Sequence, residues 1–221
     1  MSRSRWVPYV VPFLVFIAFL SVGPALPVSP RVEAMVRVGV LLAVILLVAR
    51  PALELRITRP LASLAVGAAV FAVWIAPDVL WPAYRESAVF QNGLTGRVES
   101  SMSAEARADR VVVALRFARA ALIVPVVEEL FWRGWLPRWL DRMEDFASIP
   151  LGQYTRWSFW GTAVLFALEH GSFWDVGLVA GIGYNAWMQR TRSLGDLMLA
   201  HGVTNALLSG YVLLADQWQY W

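Results

Sequence analysis

About seven apolar stretches, two of them short, joined by segments that hold most of the arginines, leave this chain few ways to fold. A helix that crosses a bilayer needs roughly 20 mostly apolar residues, and its backbone polar groups must be satisfied within the segment. The stretches lie at about 7–28, 35–49, 61–81, 111–135, 157–173, 176–188 and 196–215. Charged residues make up 16% of the chain, against about 25% in ordinary soluble domains. The expected fold class is all-α: a polytopic transmembrane helical bundle of about seven membrane helices, eight at most. Residues 1–221 read as a single integral membrane domain. Helices over 1–81 come first, then a loop at 82–110, then core helices over 111–215. The loop is Ser-rich and charge-balanced, is broken by Asn92-Gly93 and Gly96, and should carry a short amphipathic helix at 104–110. Gly177, Gly181 and Gly183 in the sixth stretch should let helix backbones approach closely.

Charge and cysteine narrow the function classes. All basic residues are arginine, and they are scattered, so no nucleic-acid surface is expected. Cysteine is absent, which excludes disulfides, a thiol nucleophile and thiolate metal sites. The first apolar run is too long for a cleaved signal and reads as a retained anchor. Cytoplasmic loops of membrane proteins collect arginine. With seven spans, Arg3, Arg5, Arg50, Arg56, Arg59, Arg138, Arg142, Arg156, Arg190 and Arg192 share the N-terminal side. Only Arg31, Arg85, Arg97, Arg107 and Arg110 fall on the other. The N-terminus is therefore expected in the cytoplasm, the lipid bilayer being the protein's constant partner.

Ionisable side chains inside a bilayer are costly and usually mark function. Both histidines of the chain lie in apolar stretches, His170 four residues after Phe166 and His201 four before Asn205. A third stretch holds Glu128 and Glu129, followed by Arg133. Glu129 and Arg133 have the spacing of a helical ion pair, which leaves Glu128 without a local partner. A carboxylate in a semi-dry site suits general-base chemistry. Taken one by one, the bland readings stand: a solvated acidic turn at the membrane surface, a structural histidine, and a polar pair bridging helices. Together, the three motifs point to one wet pocket. A proton-coupled transporter and a non-catalytic scaffold are the rivals from other classes.

Glu-Glu-x-x-x-Arg, Phe-x-x-x-His and His-x-x-x-Asn, in that order on successive membrane helices, resemble the CPBP intramembrane proteases, which include the CAAX prenyl proteases and bacterial Abi relatives. The likeness covers roughly 118–214, and all three motifs fit without substitution. The segments Trp132-Arg-Gly-Trp-Leu and Glu169-His-Gly-Ser-Phe-Trp-Asp-Val-Gly look like a bacterial CAAX-protease-related subgroup associated with exosortase systems. The resemblance implies an intramembrane endopeptidase of the bacterial cytoplasmic membrane that cleaves a membrane-anchored protein or peptide near its terminus. Glu128 would be the base and His170 a water-holding group. His201 and Asn205 would stabilise the oxyanion, with Glu129, Arg133 and Phe166 supporting the site. No metal or other cofactor is expected. The alternative is zinc held by the same Glu and His residues, although the His-Glu-x-x-His signature is missing. Prenyl proteases of this family usually have eight membrane segments, one more than the apolar stretches here supply.

Overall fold

In a computed structural model, residues 5–221 are described; Arg3, counted above for orientation, lies outside the described residues. Among these, no strand forms, and one isolated bridge joins Asn92 and Gly96. The helices are α1 (Val7–Val22), α2 (Pro30–Ala52), α3 (Pro60–Leu80), α4 (Ala104–Ala108), α5 (110–141), α6 (Arg156–Glu169), α7 (Trp174–Thr191) and α8 (Leu194–Ala215). All except the short α4 pack as seven rods, so the seven-helix bundle is what forms.

Local chemistry sets the ends of the rods. Pro30 and Pro60 open α2 and α3, where the missing N–H costs nothing. The Ser29 and Asp109 side chains accept hydrogen bonds from the first-turn amides of α2 and α5. Thr155 and Ser158 form a reciprocal capping box on α6. Arg192 and Asp216 end α7 and α8 in the left-handed conformation. Ser193 caps α8 by accepting from Asp196 N, and the buried Asp196 side chain reaches outward. Its carboxylate accepts from the amides of Thr58 and Arg59 and the hydroxyls of Thr58 and Ser63, tying the start of α8 to the start of α3.

Three helices, Pro30–Ala52, Pro60–Leu80 and Leu194–Ala215, are long and apolar enough to cross a membrane, and Val7–Val22 is a shorter apolar helix. The outer surface keeps large apolar side chains exposed, among them Leu47, Leu61, Leu122 and Leu214. A soluble bundle would bury such residues or replace them. This is an integral membrane protein.

Contacts across the connectors show which helix ends lie together. At one end Arg5 meets Asp145 at 3.7 Å, and Ser193 donates to the carbonyl of Arg56 at 2.7 Å. At the other, Arg31 pairs with Asp109 at 2.7 Å, Ser101 N donates to Trp221 O, and Tyr220 Oη donates to Asp78. The chain therefore runs up and down through the bundle, with Arg5 and Trp221 at opposite ends, as an odd number of spans requires. Exposed Arg50, Arg56, Arg59, Arg142, Arg156, Arg190 and Arg192 crowd the first end.

Segment 82–110 is largely exposed irregular chain, as expected of a solvent or interfacial loop, and its short helix forms at α4. The segment folds back onto the second end of the bundle. Arg85 is buried between Asp78 and Asp175, each 2.9 Å away, with its guanidinium 4.3 Å from the Phe173 ring centroid. It also donates to Ser172 O, and Ser172 Oγ donates to Thr95 O. The reason is the length of α6: 14 residues rise only about 21 Å, short of a ~30 Å hydrocarbon layer. The α6–α7 hairpin stops early and the segment covers its tip. Gly171 makes that contact feasible: its φ is +54°, and a Cβ there would collide with Thr95 O.

A candidate active site between five helices

The site starts from an irregularity in α5. Pro125 has no N–H, and the preceding turn, Arg119–Ile123, is widened to a π turn in which Val124 N bonds back to Arg119 O. Ala120 O is thereby left without a helical donor. Asn205 Nδ2 fills that vacancy from α8 at 2.9 Å. One amide hydrogen of Asn205 is thus committed to holding the side chain in place, and the other remains for a ligand.

One turn further along α5, the acid pair is buried rather than solvated: Glu128 is 5% and Glu129 0% exposed, which overturns the surface reading. Arg133 Nη1 donates to both Glu129 oxygens at 3.0 and 3.2 Å. Its Nε donates to Asn185 Oδ1 at 3.0 Å, and Asn185 in turn donates to Phe159 O. The guanidinium plane lies 4.4 Å from the Phe166 ring centroid, an arrangement that offsets part of the cost of burying a cation. Glu129 Oε1 also receives His201 Nδ1 at 2.7 Å. Glu129 therefore joins the arginine to the histidine, a link the sequence reading did not include.

His201 is further fixed by Tyr184, stacked at 5.1 Å between ring centroids, whose hydroxyl donates to Thr204 at 2.7 Å. With Nδ1 directed at Glu129, His201 Nε2 faces Glu128, 3.9 Å from Oε2. That Glu128 oxygen is buried and has no hydrogen-bond partner among the described residues. His170 is not inside its helix as expected but caps it (φ −86°, ψ 6°), because Gly171 ends α6. Its Nδ1 lies 2.7 Å from Phe166 O. Only a donor can satisfy a carbonyl, so Nδ1 carries the proton and Nε2 presents its lone pair. The Trp74 ring meets this imidazole edge-on at 5.1 Å.

Glu128, Phe166, His170, His201 and Asn205 all line one cavity of about 220 Å³. The expected walls were the fourth, fifth and seventh spans, here α5, α6 and α8. The third and sixth also contribute, through Trp74 and Tyr184, and Phe173 and Tyr220 close the second end. Glu129 and Arg133 stand behind this wall. Trp74, Tyr184 and Thr204 carried no sequence signal, since aromatic and hydroxyl side chains are ordinary in membrane helices and their roles depend on packing; Asn185, an amide within the sixth apolar stretch, could have been found by the rule that marked Asn205. Glycines deliver the expected close approach: a Cβ at Gly177 or Gly181 would press on Ala167, His170 or Ala163 of α6.

The arrangement combines an unpartnered buried carboxylate, an imidazole lone pair and two positioned donor groups around a space large enough for water and a peptide group. The sequence model of the family described as "Type II CAAX prenyl endopeptidase Rce1-like" matches residues 110–207, the segment that carries every one of these polar residues. No curated protein and no solved structure matches the chain significantly. Over that 110–207 core the chain is similar to the Rce1-like CAAX-protease family, and it is a CAAX-protease-like endopeptidase.

Proposed function

We propose that the cavity hydrolyses a peptide bond of a membrane-anchored protein by glutamate-activated water. The observation that carries this reading is the partnerless oxygen of buried Glu128 in the cavity shared with His170, His201 and Asn205. A water held by the His170 Nε2 lone pair gives its proton to Glu128 as its oxygen attacks the scissile carbonyl. The resulting oxyanion receives hydrogen bonds from Asn205 Nδ2 and His201 Nε2. For His201 to donate from both nitrogens it must be the imidazolium. Glu128, Glu129, Arg133 and His201 would then form a neutral quartet before the reaction. On collapse, the C–N bond breaks and Glu128 returns its proton to the leaving amine.

A zinc alternative uses the same side chains. Among the described residues, no group of three or more His, Asp or Glu is disposed to hold a metal ion. Asn205, a poor zinc ligand, is held as an oriented donor. Under the glutamate mechanism, activity should survive chelation and dialysis. Asn205→Ala should lower kcat by about 10²–10³, the usual loss for one oxyanion donor, with KM little changed. One zinc per chain whose removal and return track activity would overturn this mechanism.

The cavity lining reaches Trp74, His170, Phe173 and Tyr220, all at the arginine-poor end. By arginine distribution that end faces away from the cytoplasm, and the substrate is a segment of an exported, membrane-anchored protein. The absence of cysteine makes the test direct. Leu94→Cys, on a 98% exposed side chain of the 82–110 segment at that end, should react with a membrane-impermeant maleimide in intact cells, while Arg142→Cys should stay unlabelled. The reverse pattern would place the mouth in the cytoplasm.

A further inference from the structure

A second cavity, of about 350 Å³, lies between α1, α2 and the first turns of α5, beneath residues 101–106. It shares no lining residue with the catalytic cavity. Three arginines line it, Arg37, Arg116 and Arg119, with Glu33 as the only carboxylate. Glu33 is spoken for, since Arg37 Nε donates to it at 2.6 Å. Arg37 Nη2 donates to Phe19 O at 3.0 Å, and Arg116 Nη2 donates to Ser101 Oγ at 3.0 Å. Arg119 is 8% exposed, and its Nε is buried without a partner among the described residues.

Two guanidinium charges in excess within a membrane bundle are costly unless an anion accompanies them. The walls indicate which anion. Leu20, Leu26 and Val28 are exposed at the cavity rim, and the cavity sits at the helix ends where headgroups lie. Planar guanidiniums bind phosphate oxygens through paired N–H donors. We infer that this cavity binds the phosphodiester headgroup of an anionic phospholipid, with Arg119 and Arg116 on the phosphate and the acyl chains along α1 and α2. This inference is independent of the peptidase mechanism, because none of these side chains touches the catalytic cavity.

The test measures binding of phosphatidylglycerol to the full chain in uncharged detergent, by native mass spectrometry and by thermal shift. Phosphatidylcholine of the same acyl chains, inorganic phosphate and a peptide with a free C-terminal carboxylate serve as competitors. One saturable phosphatidylglycerol site is expected, at least tenfold tighter than for phosphatidylcholine. Arg119→Gln should weaken it at least tenfold. Should that variant misfold, Arg116→Gln at the half-buried position should still weaken it several-fold. Equal affinity for both lipids, or affinity unchanged by either substitution, would overturn the site. Inorganic phosphate binding as tightly as phosphatidylglycerol would overturn the lipid assignment, as would displacement by the carboxylate peptide alone.

Discussion

Glu128→Gln should abolish most peptidase activity while leaving the protein folded, with its stability little changed. The amide keeps the shape of the side chain and its capacity for hydrogen bonding, but cannot take a proton from water at neutral pH. Loss of a general base costs about 10²–10⁴-fold, and the loss should appear in kcat with KM nearly constant. Stability should change little. The substitution relieves the burial of a carboxylate oxygen that has no partner among the described residues, but it also removes one negative member of the quartet with Arg133 and His201. The measurements are initial rates on a membrane-anchored peptide substrate and thermal unfolding in detergent. Retention of more than a tenth of wild-type kcat would remove Glu128 from the base's role, and an unfolded variant would show that its charge is structural.

Glu129→Gln should fail differently. Glu129 accepts from Arg133 and from His201, and Arg133 is fully buried. Removing one partner of a buried ion pair leaves an uncompensated charge and costs about 3–5 kcal/mol. The melting temperature should drop sharply, and expression with it. Any protein that does fold should show reduced kcat, because His201 loses the group that directs its Nε2 toward Glu128. Glu129→Asp should recover part of the stability. If Glu129→Gln melted like the wild type, the carboxylate would not be the counter-charge of Arg133. The two neighbouring acids thus separate: one substitution removes chemistry and spares the fold, the other removes the fold's support.

Much of this was legible in the sequence, because a bilayer imposes simple rules. Run length and missing charge mark the helices, and the four-residue spacings of Glu129 with Arg133, Phe166 with His170, and His201 with Asn205 mark faces of helices whatever their neighbours. Segment 82–110 was legible only as polar and broken. Its role as a cover over a short hairpin depends on where α6 stops relative to α3 and α8, which is a property of the assembled bundle. The π turn at Arg119–Ile123 is an intermediate case. Pro125 announces a disturbed helix, but not that Asn205 supplies the missing donor.

The sequence alone therefore determined the all-helical membrane architecture, the up-and-down order of the spans and the short list of polar residues that a bilayer would not tolerate without purpose. Local periodicity and solvation cost decide those things residue by residue. Only the tertiary structure decided that Glu129 joins Arg133 to His201, that Glu128 is left facing the cavity, and that Tyr184 and Trp74 hold the two imidazoles. Each of these depends on distances between side chains far apart in the chain, down to the 2.7 Å between His201 and Glu129, 72 residues away. A hydrogen bond exists or fails within a few tenths of an ångström, a precision that helix packing sets and that spacing along one chain does not encode.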